Sequence, residues 1–183
     1  MQTLHGVRFL PVASVRGTLV GFEASWLSRR GLLLSLLLVL ASPAGPLSHD
    51  TPLPLPLRLG LGLGSVVAVL LTSLGHELGH ALAGRLAGLP VRAIVLGPGG
   101  GITIRGHAEH AHVDLLTAIA GPLANLILAA VCGWATMHLA ANTLVASWLV
   151  QVGLLQLLTS TANLLPFGPF DGARILAAWR ALS

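Results

Sequence analysis

The chain has 183 residues, 54% of them hydrophobic and 9% charged, with a mean hydropathy of +0.84. A soluble domain carries about 25% charged residues, so the composition excludes an ordinary soluble protein. It points to an integral membrane protein whose length suits one compact domain, residues 1–183. The net charge of +4 does not imply nucleic acid: all ten basic residues are arginines scattered among loops, and no tyrosine offers a stacking platform. The single cysteine, Cys132, excludes an intrachain disulfide and a cysteine zinc cluster and has no expected role beyond packing.

In chain order, residues 1–30 mix apolar and polar positions, with weak strand character over Val12–Val20 and Leu19–Phe22, and read as a short interfacial segment. Gly31–Ala41 is strongly apolar but shorter than the ~20 residues of a bilayer span. Extended back to Ser25, it becomes a first helix whose Arg29 and Arg30 snorkel to the headgroups. The competing reading is a signal peptide ending near Ser42-Pro43-Ala44, but a signal's apolar region lies closer to the N-terminus. Ser42–Pro56 is a proline-rich loop, which completes an N-terminal region of residues 1–56 ahead of a core of 57–183.

A second helix is expected from Leu57 or Leu59 to about Leu89, stopped by Pro90, with Gly75, Gly79 and Ala83 as a small-residue ridge for a close neighbour. Val91–Arg105 reads as two short strands around Gly97–Gly101, a β-hairpin. No helix with a Lys-Ser/Thr start follows these glycines, so nucleotide binding is discarded. His107, Glu109, His110 and His112 form a polar stretch that is accounted for by a solvated loop as well as by a metal site. A third helix spans Leu115–Leu139 with Gly121-Pro122 and Asn125, and a fourth spans Ala146–Leu165 with Asn163 near its end. Pro166, Gly168 and Pro169 then put Asp171-Gly172 on an irregular turn, tolerated at membrane depth only when buried in protein or lining a cavity. Arg174–Leu182 is a short final helix. The expected fold is an all-α polytopic membrane protein of about four transmembrane helices, with a short membrane-associated β-hairpin after the second.

The chemistry lies in His76-Glu77-Leu78-Gly79-His80. Positions i and i+4 of a helix share a face, so His76 and His80 can offer two imidazole nitrogens to one metal, and Glu77 can act as a base beside them. This is the zincin arrangement. Such a string also occurs by chance in helices that bind nothing. Here the bland reading leaves two histidines and a glutamate in lipid without a role, at ~2.5–3.5 kcal/mol for each charged group at the helix centre. Asp171 is the one other carboxylate expected near them. With the N-terminus inside, every arginine but Arg58 falls on the cytoplasmic side, a strong positive-inside pattern. It sets the His76–His80 end of the second helix and the Asp171 turn on that same side.

These motifs, with Gly121-Pro122-Leu123-Ala124-Asn125 and Asn163-Leu-Leu-Pro-Phe-Gly-Pro-Phe-Asp171-Gly172, occur in an order that resembles the site-2 protease family of intramembrane zinc metalloproteases, from about Leu59 to Leu176. The resemblance implies that His76, His80 and Asp171 bind one Zn²⁺ per chain. It further implies that Glu77 activates the water and that Asn125 and Asn163 are polar groups near the site. The hairpin residues Gly99, Gly100, Gly101 and Ile102 look like the element on which family members bind a substrate by strand addition. The expected partners are a membrane-spanning protein substrate and the bilayer, in the cell membrane with the site towards the cytoplasm. Gly172-Ala173 replaces the Gly-Gly of many relatives, and the absence of PDZ and CBS domains resembles the minimal members. A non-catalytic zinc-containing membrane binder of the same fold leaves Glu77 without a purpose. A metal transporter would stage ionisable groups along several helices, and the first, third and fourth offer almost none.

Overall fold

The computed structural model describes residues 1–28, 54–97, 100–139 and 143–183. Three of its helices are long and apolar enough to cross a membrane: α1 (Leu55–Leu86), α2 (Ala111–Met137) and α3 (Leu144–Asn163). They correspond to the expected second, third and fourth helices, and the protein is a multi-pass membrane protein. A short amphipathic helix, α4 (Asp171–Arg180), follows. Most of the expected first helix, with Arg29 and Arg30, and nearly all of the proline-rich loop lie outside the described residues; the helix's expected start at Ser25 falls in a short 3-10 turn, Ala24–Leu27.

The helix boundaries differ from the sequence reading for local reasons. Pro56 is inside the first turn of α1, where a missing N–H costs nothing. At the other end Gly88, at φ +79°, closes the helix three residues earlier than Pro90 suggests. Its N–H reaches Arg85 O and that of Leu89 reaches Gly84 O, both at 2.9–3.0 Å, the paired bonds of a Schellman cap. α3 begins at a capping threonine, Thr143, whose Oγ1 accepts from Ala146 N at 3.1 Å. α2 starts at Ala111 and so takes in part of the expected polar stretch, while Asp171 opens α4 instead of preceding it.

The all-α reading with a lone hairpin is corrected: the protein is mostly helical but carries a five-stranded sheet. β1 (Gln2–Leu4), β2 (Val7–Val15), β3 (Thr18–Glu23), β4 (Val91–Gly97) and β5 (Gly100–Arg105) pair in that order. All neighbours are antiparallel except β3 and β4, which are parallel, Leu19 beside Ala93. The N-terminal segment thus completes a sheet whose other half is the expected hairpin. β4 is buried on both faces. Ala93 and Val95 pack with Phe9 and Ile104, and Ile94 and Leu96 face Ala81 of α1. Leu4 of β1, Val7 of β2 and Leu19 of β3 pack against the same cluster as Ile104 of β5.

α1 and α2 meet through glycines. A Cβ on Gly75 would lie 2.7 Å from Leu128 Cδ1, and one on Gly79 would strike the carbonyl oxygen of Ala120 and lie 2.9 Å from Ala124 Cβ. These two members of the expected ridge let the helix backbones approach closely. α3 joins through Gln151 Nε2, which donates to Ser65 Oγ at 3.3 Å, and through Ser160 Oγ, which donates to Pro122 O at 3.0 Å. Cys132 packs beside Gly153. Outward-facing Leu71, Leu82, Ile127, Val131, Leu154 and Leu158 are exposed, as lipid-facing positions must be. Gly79→Leu should therefore cost at least the ~1–3 kcal/mol of ordinary overpacking, because its nearest obstacle is backbone. Gly60→Ala, with nothing within 4 Å, should be neutral or slightly stabilising. Thermal unfolding of the two variants in one detergent checks both.

Candidate metal centre

His76 and His80 stand one helical turn apart on α1, about 15 Å and about 9 Å before its C-terminal end at 1.5 Å per residue. Asp171, the first residue of α4, reaches back to them. His76 Nε2 lies 2.9 Å and His80 Nε2 3.1 Å from Asp171 Oδ2, and the two Nε2 atoms are 3.1 Å apart. All three residues are buried, at 5%, 5% and 7% exposure. Among the described residues they form a group of potential ligands whose donor atoms all lie within 4.8 Å of one another.

The second nitrogen of each ring shows what the first can do. His80 Nδ1 donates to Thr117 O at 2.7 Å, which leaves Nε2 as a lone pair. His76 Nδ1 lies 3.3 Å from the fully buried Asn125 amide, drawn with Nδ2 towards it and with Oδ1 lacking a partner among the described residues. With the amide's two ends exchanged, Oδ1 accepts from His76 Nδ1–H, and His76 Nε2 also becomes a lone pair. Two imidazole lone pairs and a carboxylate oxygen in mutual contact repel one another unless a cation lies among them. Tetrahedral bonds of about 2.0–2.1 Å set neighbouring donors about 3.3 Å apart, close to the spacing here. Gly121 supplies the room, since a Cβ there would strike His80 Nε2 and lie 2.8 Å from His76 Nε2. The donor set and the space above Gly121 both fit a divalent metal.

Glu77 is equally buried but turned aside. Thr103 Oγ1 lies 2.7 Å from Glu77 Oε2, and the side chain lies against β5 at Gly101. A cavity of about 490 Å³ opens beside these groups, lined by His76, Glu77, His80, Asp171 and the β5 residues Gly101–Arg105. Asn163, expected near the site, is on this wall and donates its Nδ2 to Thr159 O at 3.0 Å, not to the histidines. Gly101 and Ile102 are exposed on β5, an outer strand of the sheet, while Gly99 lies outside the described residues. His107 lines the cavity, and His110 and His112 stack with ring centroids 5.4 Å apart. They form no metal-ligating group among the described residues.

Sequence reasoning missed Thr103, Thr117 and the arginine clamp. Asp114 Oδ1 accepts from Arg105 Nη2 at 2.7 Å and from Arg174 Nη2 at 2.8 Å, and Arg174 Nη1 lies 3.5 Å from Asp171 Oδ1. The clamp ties β5, the first turn of α2 and α4 around the cavity mouth. Arg174 was legible only as a residue one turn after Asp171 on the same helix face.

The Peptidase M50B-like family model matches residues 63–177. The putative zinc metalloprotease Rip3 of Mycobacterium tuberculosis is 39% identical over 123 residues, covering 62% of this chain and 30% of that protein. A zinc metalloprotease of Methanocaldococcus jannaschii, MJ0392, is 33% identical over 103 residues, 56% of this chain and 30% of that protein. The matched region is thus under a third of the length of either relative. The solved structure of the site-2 protease from Methanocaldococcus jannaschii shares the fold with a TM-score of 0.68 at 21% identity, over 96% of this chain and 73% of that one. Asp171→Ala and Gly121→Ala should each lower divalent-metal affinity by about 10–100-fold or more, whereas Glu109→Ala should leave it unchanged. Metal content after dialysis against a graded chelator series measures all three.

Proposed function

The chain belongs to the Peptidase M50B-like family, that of the site-2 proteases, and from this we propose that it is an intramembrane zinc metalloprotease that hydrolyses a peptide bond in or near a transmembrane segment of another protein. The observation that carries the reading is the convergence of His76, His80 and Asp171 on one point, with the Glu77 carboxylate beside it and outside the ligand group. His76, His80 and Asp171 would hold one zinc ion. When bound, zinc supplies a Lewis acid that polarises the scissile carbonyl and brings the pKa of water towards ~7.

The remaining steps belong to the chain's own groups. Thr117 and Asn125 orient the imidazoles, and Arg174 steadies the second oxygen of Asp171. Glu77 accepts the proton of the attacking water and delivers it to the leaving nitrogen. A substrate helix hides its carbonyl carbons, so the scissile segment unwinds and lies extended along β5 at Gly100–Ile102, where backbone hydrogen bonds hold it as an added strand. Asn163, on the cavity wall, supports the reacting carbonyl. The substrate is a membrane-spanning protein, and the arginine distribution supports a site towards the cytoplasmic face of the cell membrane.

Glu77→Gln keeps the shape of the side chain but cannot accept the proton. The variant should retain wild-type zinc stoichiometry and lose cleavage of a membrane-spanning test substrate by at least the ~10²–10⁴-fold typical of a general base. Equal cleavage by both proteins removes Glu77 from the mechanism. Zinc binding with no cleavage across a broad substrate panel identifies a non-catalytic binder instead. Topology is tested separately: single cysteines placed between Ala83 and His112 should label from the cytoplasmic side, and one at Asn142 from the opposite side. Labelling of the first set from outside sinks the orientation.

A further inference from the structure

Glu77 is held by one strand in two ways. Thr103 Oγ1 lies 2.7 Å from Glu77 Oε2 and 3.0 Å from the Glu77 backbone oxygen. Gly101 is two residues earlier on β5 and so shares the face of Thr103 that meets α1. A Cβ on Gly101 would lie 2.5 Å from Glu77 Cγ and 2.9 Å from Oε1. The glutamate is therefore packed flat on bare strand backbone and pinned at one oxygen by a hydroxyl. The result is visible in the ligand group, which takes in His76, His80 and Asp171 but not the carboxylate adjacent to His76 in sequence.

That exclusion needs a cause. Carboxylate oxygens bind zinc at about 2.0–2.2 Å as readily as imidazoles do, and a glutamate has three side-chain torsions with which to swing. A fourth protein ligand would close the coordination shell, as in structural zinc sites. Burial adds to the pressure, because an anion in a low-dielectric setting is drawn to the nearest cation.

We propose that Thr103 is a positioning residue that keeps Glu77 beside the metal and off it, so that the fourth position stays open to water. The inference rests on the metalloprotease reading above. It assigns the two carboxylate oxygens different tasks. Oε2 is occupied by the Thr103 hydroxyl, and Oε1 is the oxygen that takes the proton. Gly101 acts with it, since any side chain there would fill the space that Glu77 occupies when turned aside.

The test uses the full chain in detergent, loaded with Co²⁺ in place of zinc, whose visible absorption reports the number and kind of ligands. Wild type, Thr103→Ser, Thr103→Val and the double variant Thr103→Val/Glu77→Gln are compared, with kcat and KM measured on the zinc forms. Thr103→Ser should match wild type in spectrum and rate. Thr103→Val keeps the branched shape without the hydroxyl. It should shift the cobalt spectrum and lower kcat by about 10–100-fold, the usual cost of losing an outer-shell partner, with KM within about threefold. The double variant has no carboxylate at 77 to bind, and its spectrum should return to that of wild type. If Thr103→Val does not fold, Thr103→Ala carries the same expectations. A cobalt-loaded wild type whose spectrum and kcat are unchanged by Thr103→Val overturns the inference alone. A raised KM at constant kcat also overturns it, since Thr103 would then serve the strand only. A wild type that takes up no cobalt overturns the metal reading and this inference together.

Discussion

The absence of side chains on the facing surfaces of α1 and α2 is the constraint on which the site depends. At Gly79 the two backbones come close enough that a Cβ would strike Ala120 O, and at Gly121 the missing Cβ leaves the space into which both imidazoles point. Had either position carried a methyl group, α2 would stand further off. Thr117 O and the Asn125 amide would then be out of reach of the two ring nitrogens that they fix. Helices in a bilayer gain nothing from hiding apolar surface from each other, so close packing of small residues has to supply the attraction. The same contact that holds α1 to α2 therefore shapes the ligand geometry.

Burying the ligands brings a second demand, because each polar atom at that depth needs a partner. His80 meets it with a backbone carbonyl and His76 with the buried amide. Asp171 is shared between the imidazoles on one oxygen and Arg174 on the other. Arg174 is in turn held by Asp114, which also binds Arg105 of β5. Charge thus becomes more exposed from the ligands outward to the cavity mouth, where the sheet meets solvent. A site of this kind is stable only when α4 and β5 are both in place, although neither crosses the membrane.

The membrane class, the three described spans and the pairing of His76 with His80 were legible because each rests on local periodicity: long apolar runs and an i,i+4 spacing. The meeting of Asp171 with the histidines was legible from charge placement and motif order. The N-terminal strands were legible only as weak strand character over Val12–Val20 and Leu19–Phe22, within β2 and β3, and not as members of one sheet with the hairpin. β2 contains Pro11 and a register shift between Pro11 and Ala13, which break the period-two alternation that marks a strand. β3 gains its place by parallel pairing with β4, some seventy residues along the chain, and no local pattern announces such a partner. Gly21 gave no sign either, yet a Cβ there would lie 2.8 Å from the Phe9 ring and 2.9 Å from Pro11 Cα. Thr103 was passed over because a threonine in a strand is ordinary, and only the fold shows which side chain it faces.

The sheet also explains why α1 needs a β partner. β5 presents one flank of its backbone at the edge of the sheet, where an extended segment can add by hydrogen bonding. Its α1-facing side, through bare Gly101 and hydroxylated Thr103, holds the side chain of Glu77. Under the proposed function these are two faces of one element. A helical segment passing in the bilayer satisfies its own backbone and offers nothing to the edge. A segment already unwound at a glycine or proline can pair with β5, and that pairing sets its carbonyls at a fixed height beside the carboxylate that the same strand holds in place. Under that function the strand would select for unwound substrate and place the base with a single set of backbone positions. Glycine at 101 serves the second of these tasks, since a Cβ there would lie 2.5 Å from Glu77 Cγ.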